Sequence, residues 1–132
     1  MTIKATYYGA NGWLIELDKT RILIDPWLNG DLTFPPGDWL IKGELAKEVE
    51  IPRSIDFLLL TQGQPDHAHP TTLKKINKSI PVIASQAASN VVGKIGFTEI
   101  NTLKPGEAFK KNNINIQATS GASVPNIENG YI

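Results

Sequence analysis

The sequence predicts an α+β domain with a mixed, largely antiparallel sheet and helices on one face. Three observations favour this fold class. The first quarter contains short β-rich runs, the middle alternates strands with helices, and the last part contains a hairpin. With 132 residues and 41% hydrophobic content, the chain is long enough to bury a core. We expect a single domain over residues 1–132.

The N-terminal quarter predicts a β-meander. Residues 3–8, 12–17 and 20–24 are rich in β-branched and aromatic side chains, and Gly9-Ala10-Asn11 and Asp18-Lys19 separate them as turns. Apolar and polar residues alternate only weakly in the third run. We therefore expect the third strand to be covered on both faces.

Residues 26–54 predict a long loop, because prolines and glycines interrupt every period. Trp27, Phe34 and Trp39 add aromatic bulk to it. Loops of this length in small domains are often functional or form lids, which would place Trp27 and Trp39 in a pocket. The alternative is a packed cover whose tryptophans only fill space.

The chain after residue 55 predicts alternating strands and helices. Pro70 suits the first turn of a helix, and Gly96 suits the end of a second helix. The predicted strands are residues 55–60, 81–84, 98–103, 107–110, 114–119 and 129–132, and the predicted helices are 70–78 and 85–95.

The charge balance excludes some classes of partner. Thirteen basic and thirteen acidic residues cancel, so no overall field favours nucleic acid or a membrane surface. The chain has no cysteine, and its apolar runs are far shorter than a membrane span. We expect a cytoplasmic protein that binds neither nucleic acid nor membrane, with a small polar molecule as a possible ligand.

The residues with metal-binding chemistry follow the predicted strand at 55–60. Gln62, Gln64, Asp66, His67 and His69 recur there at short spacing. A carboxylate and an imidazole are ligands for divalent zinc, manganese or iron. The alternative is that Asp66 or His69 satisfies the free amides at the N-terminus of the next helix.

Several segments resemble the metallo-β-lactamase superfamily in order and spacing. The loop is similar to that family's metal loop, His-x-His-x-Asp-His, with Gln62 and Gln64 where two histidines belong. The other segments are 12–16, 21–27, 81–84, 96–97, 103–107 and 119–132. The last of them resembles a cyanobacterial and plant-like branch of the UlaG-type proteins. The resemblance implies the first half to two-thirds of an αββα sandwich.

The resemblance also implies where two metals would bind. In active relatives, two loop histidines and one histidine after a later strand hold the first metal. The corresponding positions here are Gln62, Gln64 and either Ala122 or Ser123. A glutamine offers only a neutral carboxamide oxygen, which is a poor zinc ligand. The resemblance therefore implies that the first metal's ligands are lost.

The second metal's ligands are retained in part. The resemblance assigns Asp66 and His67 to this position, and His69 is a weaker candidate. Two protein ligands leave a zinc site too open for tight binding. Asp25 matches a position that supports the loop from behind the ligands, although it also suits a turn before Pro26. We expect no resident cofactor, with one zinc, manganese or iron ion as the alternative.

An incomplete sandwich predicts self-association. A chain with only the first sheet and its helices would expose an apolar face, worth about 15 kcal/mol for roughly 600 Å². The sequence ends inside a predicted strand, residues 129–132. We expect a homodimer in which each copy covers the other, unless the sequence is a truncated product.

Three functions remain open at this point. The first is a catalytically impaired relative of metal-dependent hydrolases, with a pocket at the strand ends. The second is a hydrolase completed by ligands from a partner chain. The third is a non-enzymatic homodimeric interaction module.

Overall fold

The computed structural model describes residues 1–123 and 127–132. Strands make up most of its regular structure, with two helices in the described part. In chain order the elements are β1 (Ile3–Gly9), β2 (Gly12–Leu17), β3 (Thr20–Ile24), β4 (Leu32–Thr33), β5 (Lys42–Gly43), β6 (Phe57–Leu60), α1 (Pro70–Lys75), β7 (Val82–Ala84), α2 (Gln86–Ile95), β8 (Ile100–Thr102), β9 (Ala108–Lys111), β10 (Ile114–Ser123) and β11 (Ile127–Tyr131).

The main sheet is mixed and has the strand order β1-β2-β3-β6-β7-β8. The meander β1-β2-β3 is antiparallel, whereas β3, β6, β7 and β8 run parallel to one another. The α+β class is thereby confirmed. Ile22 and Leu23 of β3 are buried in the apolar clusters on opposite faces of the sheet, as the weak alternation of this strand predicts.

Both helices pack on one face of this sheet, and their boundaries follow from local capping. Ser85 is the N-cap of α2, where its Oγ accepts a hydrogen bond from the amide of Ala88. Gly96 ends the helix at φ 107°, a conformation that glycine adopts without steric cost. The predicted extent of α2 is therefore confirmed to within one residue.

Helix α1 is shorter than predicted. The pattern suggested a helix to residue 78, but Ile76 is already extended at φ −83° and ψ 143°. The ammonium group of Lys78 instead bonds the carbonyls of Leu73 and Lys74 at 3.0 and 2.7 Å. This cation bonds to carbonyls at the C-terminal end of α1, where positive charge is favourable.

A second, three-stranded sheet covers part of the opposite face of the main sheet. Its order is β11-β10-β9, and all neighbouring pairs are antiparallel. The apolar cluster between the sheets is Ile22, Phe57, Leu59, Ile83, Leu103, Ile116 and Ala118. The apolar face expected to be exposed is therefore covered in part, because the C-terminal strands fold back over β3, β6 and β7. Ile3, Tyr7 and Trp13 of β1 and β2 stay exposed.

The long loop 26–54 contains more structure than predicted. The strands β4 and β5 form a short antiparallel ladder inside it. The amide of Leu28, a fully buried residue, donates to Thr72 Oγ1 at 3.0 Å, which attaches the loop to α1. In contrast to Leu28, the side chain of Trp39 is 75% exposed. The first part of the loop thus packs as a cover, and the part around Trp39 projects outward.

Candidate metal-binding site

Two parallel strands bring the polar residues of the site together. Ile24 of β3 pairs with Leu59 of β6, so the residues that follow each strand meet at the same sheet edge. The amide of Thr61 donates to Asp25 Oδ1 at 2.9 Å, and the amide of Asp25 donates to the Leu59 carbonyl at 3.1 Å. Asp25 adopts φ 40°, which aspartate tolerates better than most residues do.

Asp25 orients the imidazole of His67. The Nδ1 atom of His67 lies 2.7 Å from Asp25 Oδ2, and the Thr61 hydroxyl lies 2.9 Å from the same nitrogen. Because a carboxylate only accepts, Nδ1 carries the proton and donates it to Asp25. The lone pair of Nε2 is then directed away from Asp25, as in histidines that bind metals with a carboxylate behind them. This is the geometry that the predicted supporting role of Asp25 requires.

The electrostatics of His67 reflect this pairing. Burial alone would lower the pKa of His67, but the hydrogen bond to Asp25 and the negative charges of Asp25, Asp66 and Glu128 outweigh it. The pKa of His67 is therefore raised above its ordinary value. The pocket around the imidazole favours positive charge, whether a proton or a cation supplies it.

Asp66 lies next to His67 at a separation suited to chelation. Its Oδ2 atom is 3.6 Å from His67 Nε2. Two ligand atoms bound at about 2.1 Å to one ion are roughly 3.4–3.6 Å apart when the angle between them is near tetrahedral. The separation of this pair is thus compatible with chelation of one divalent cation.

Asn11 is a part of the site that sequence reasoning missed. The turn between β1 and β2 places its amide nitrogen 3.1 Å from Asp66 Oδ2 and 3.2 Å from His67 Nε2. The same nitrogen lies 3.3 Å from the Asp66 carbonyl. The sequence marked Asn11 only as a turn residue, and no local pattern relates it to positions more than 50 residues away.

The two loop positions assigned to the first metal carry neutral amide side chains in place of imidazoles. Gln62 and Gln64 are half-buried, and the backbone carbonyl of Gln64 accepts hydrogen bonds from the amides of His67 and Ala68. Two neutral amide oxygens without an imidazole or a carboxylate beside them make a poor zinc site. Among the residues that the structure describes, no group of three His, Cys, Asp or Glu side chains could hold a metal ion. The side chains of Ala122 and Ser123 lie outside the described part.

His69 occupies a buried position at the start of α1. Its Nδ1 accepts a hydrogen bond from the amide of Thr72 as the N-cap, and its Nε2 lies 2.9 Å from the carbonyl of Asp31. Burial lowers the pKa of His69, and the hydrogen bond to Asp31 only partly offsets this. Nδ1 takes the capping role that the sequence left open, and Nε2 bonds to the long loop. A metal-binding role for His69 stays a prediction without a contact to support it.

A buried carboxylate supports the loop from the other side. Glu128 in β11 is 1% exposed, and its Oε2 accepts from the Ser85 hydroxyl at 2.6 Å. Its Oε1 accepts from the amide of Gly63 at 3.3 Å. A Cβ added to Gly63 would lie 2.9 Å from the backbone of Ala87, so the loop passes directly over the start of α2. Glu128 thus ties the loop, β11 and α2 together.

The rest of β11 is bound to the same sheet edge. The amide of Asn129 donates to the Thr61 carbonyl at 3.2 Å, and the Tyr131 hydroxyl donates to the Leu60 carbonyl at 3.2 Å. Burial, together with the charges of Asp25 and Glu128, raises the pKa of Tyr131 to about 12. Sequence reasoning noted this segment for its resemblance but assigned it no contact with the loop.

The two tryptophans predicted to line a pocket take different positions. Trp27 donates its indole N–H to the Gly30 carbonyl at 2.8 Å and packs within the loop. Trp39 projects into solvent. A cavity of about 430 Å³ does lie beside Gln64, with Pro35 from the long loop on its wall. Neither tryptophan lines this cavity, and their predicted pocket role stays a prediction.

Comparison with known proteins identifies the family. A family model described as β-lactamase superfamily domain matches residues 4–129. The chain therefore belongs to this superfamily, whose metallo-β-lactamase members the loop motif resembles.

Curated relatives are metal-dependent hydrolases by name. The UPF0173 metal-dependent hydrolase of Paracoccus denitrificans is 29% identical over 112 residues, which cover 80% of this chain and 45% of the relative. A UPF0173 metal-dependent hydrolase of Brucella ovis is 33% identical over 104 residues, covering 79% and 39%. The chain thus spans less than half the length of these curated relatives.

Solved structures share the fold. A possible metal-dependent hydrolase from Veillonella parvula matches with a TM-score of 0.68 at 22% identity, covering 95% of this chain and 51% of that one. CmlA, a diiron β-hydroxylase from Streptomyces venezuelae, matches with a TM-score of 0.70 at 18% identity, covering 98% and 27%. At these identities the likeness shows the fold alone. Neither described helix is long and apolar enough to cross a membrane.

Proposed function

We propose that this domain binds a single divalent cation at Asp66 and His67 and does not carry out two-metal hydrolysis. The observation that carries the proposal is the 3.6 Å separation of Asp66 Oδ2 and His67 Nε2, with Asp25 fixing the imidazole from behind. The relatives' names support metal dependence. The amides at Gln62 and Gln64 argue against a second ion.

A lone cation on two side chains is held weakly. Catalytic zinc sites normally use three protein ligands, and a proton competes with a cation for His67, whose pKa is raised. We expect a dissociation constant in the micromolar range or weaker. A bound cation would attract the anionic or carbonyl group of a small polar ligand. The domain then functions as a binding module on a hydrolase-like scaffold.

Calorimetric titration with Zn²⁺ and with Mn²⁺ tests this proposal. The wild-type chain is expected to bind one ion, and His67→Ala is expected to bind none. Asp18→Asn removes an exposed carboxylate elsewhere and should leave binding unchanged. A panel of phosphodiesters and lactones, assayed with saturating metal, should show no turnover above the His67→Ala control. Turnover that depends on His67 would overturn the proposal and favour a hydrolase.

A second proposal concerns a partner. We propose that a second copy packs on the exposed part of the main sheet. Tyr7 and Trp13 are paired across β1 and β2 with their rings 4.6 Å apart, and Ile3 lies on the same face of β1. Their exposed fractions are 56%, 39% and 59%. Exposed apolar side chains that share one face of a sheet are suited to a contact surface.

Light scattering at micromolar concentration tests this pairing. The wild-type chain is expected to have the mass of a dimer, and Trp13→Ser is expected to yield a monomer. Trp39→Ser is the matched control, because Trp39 is an exposed tryptophan on the long loop. A monomeric wild-type chain would refute pairing and leave the patch to a further segment or to another partner.

A further inference from the structure

The side-chain amide of Asn11 lies beside the position that a cation bound by Asp66 and His67 would occupy. Its nitrogen is 3.1 Å from Asp66 Oδ2 and 3.2 Å from His67 Nε2. Both atoms accept hydrogen bonds when the His67 imidazole is neutral, because Nδ1 then carries the proton that it donates to Asp25. Without a metal, the two amide protons therefore satisfy the two atoms that would otherwise bind the ion.

The three atoms also form a set of suitable size for an ion. With sides of 3.1, 3.2 and 3.6 Å, their triangle has its centre about 1.9 Å from each corner, and zinc binds nitrogen and oxygen ligands at about 2.0–2.2 Å. An ion slightly above this plane would reach all three positions. The amide nitrogen itself cannot act as a ligand. A half-turn of the side-chain amide, however, places Oδ1 near the same point.

We propose that Asn11 is the third ligand of the cation site, and that its amide rotates between two states. In the metal-free state the amide N–H groups hold Asp66 and His67 in the chelating arrangement. When a divalent cation binds, Oδ1 replaces the nitrogen and completes a set of one imidazole, one carboxylate and one amide oxygen. This inference rests on the proposed function, because it concerns the same ion.

The turn that carries Asn11 is built to fix its position. Ala10 adopts φ 47° and Gly9 φ 95°, and the pairing of β1 with β2 shifts register between Tyr7 and Gly9. The carbonyl of Ala10 accepts a hydrogen bond from the Tyr7 hydroxyl at 3.1 Å. A non-glycine residue at positive φ costs free energy that the surrounding contacts must offset. The Asn11 side chain is half-buried, and its contacts with Asp66 and His67 hold it over the loop.

Two substitutions of Asn11 are expected to change the affinity for the cation in opposite directions. Asn11→Asp supplies an anionic oxygen at the same point and is expected to tighten Zn²⁺ and Mn²⁺ binding by about tenfold or more, since even supporting partners behind a ligand affect affinity by about 10–100-fold. Asn11→Ala removes the oxygen and is expected to weaken binding by a similar factor. Asn11→Ser, whose hydroxyl is too short to reach, should behave like Asn11→Ala and serves if that variant folds poorly.

Calorimetry of these variants tests the proposal. Asn112→Asp is the control for added negative charge, because Asn112 lies in the hairpin turn between β9 and β10. Side-chain amide NMR adds a readout independent of affinity: the Asn11 NH₂ signals should shift when Zn²⁺ is added. This inference alone would be overturned if the wild-type chain binds the cation, His67→Ala does not, and all Asn11 variants bind it with unchanged affinity.

A wild-type chain that binds no cation would overturn the proposed function instead. Asn11→Asp then decides the inference separately. If this variant gains a site that His67→Ala abolishes, the three-atom arrangement is correct. If it gains none, the inference fails together with the proposed function.

Discussion

Replacement of Asp25 by asparagine tests the support behind the site most sharply. Asp25 is 3% exposed and accepts three hydrogen bonds: from the amide and hydroxyl of Thr61 and from His67 Nδ1. Asparagine has nearly the same shape and also tolerates φ 40°, so the backbone conformation is kept. The substitution therefore changes charge and hydrogen bonding with little change in packing.

The expected loss of stability follows from these three bonds. The amide group has one accepting oxygen, so at least one buried donor loses its partner, at a cost of about 1–3 kcal/mol. The bonds that remain change from charge-assisted to neutral, which removes roughly another 1 kcal/mol in total. We expect Asp25→Asn to lower the free energy of unfolding by about 3 kcal/mol, a large share of the stability of a small domain.

Urea denaturation followed by circular dichroism measures this loss. Asp18→Asn is the matched control, because Asp18 also has positive φ, at 51°, but is exposed and accepts one bond from the amide of Thr2. The control should change stability by less than about 0.5 kcal/mol. An equally small change for Asp25→Asn would refute the view that Asp25 holds the loop and the imidazole in place.

Two further predictions concern the loop and the helix that follows it. Gly63→Ala should destabilise the domain by about 1–3 kcal/mol, because the new Cβ would meet the backbone of Ala87 at 2.9 Å. Gly93→Ala is the control: Gly93 lies inside α2, and a Cβ there would have its nearest neighbour at 3.8 Å. This variant should stabilise the domain by about 0.5–1 kcal/mol in the same urea titration. A stabilising effect of Gly63→Ala would contradict the close approach of the loop to α2. Because the pKa of His69 is lowered in the folded state, the unfolded chain binds more protons at this residue. The stability that the neutral His69 contributes is therefore present above about pH 6.5 and is lost as the pH falls towards the lowered pKa. His69→Asn keeps an N-cap acceptor, and its stability deficit relative to wild type should shrink from pH 8 to pH 5; a constant deficit would exclude a buried neutral imidazole.

Elements with local signals were predictable from the sequence. The N-cap at Ser85 and the left-handed glycine at Gly96 are short-range features, so the extent of α2 followed from the sequence alone. The same holds for the meander, whose turns lie between strands adjacent in sequence. The end of α1 was misplaced, because the Lys78 cap depends on a side chain reaching back to the helix.

Features that depend on distant contacts were not predictable. Asn11 meets Asp66 across 55 residues, and Glu128 meets Gly63 across 65 residues. Neither contact leaves a periodic or spaced pattern in the sequence. The burial of Glu128 runs against the usual exposure of glutamate, and only the fold shows the two donors that make it tolerable. The site's motif was visible, whereas the residues that complete it were not.

The number of cations bound per chain tests the central claim most directly. Elemental analysis after equilibration with Zn²⁺ should give one ion per wild-type chain, lost in His67→Ala. The double variant Gln62→His, Gln64→His should bind a second ion, because it restores imidazoles at the first-metal positions. Two ions bound tightly by the wild-type chain would contradict the account.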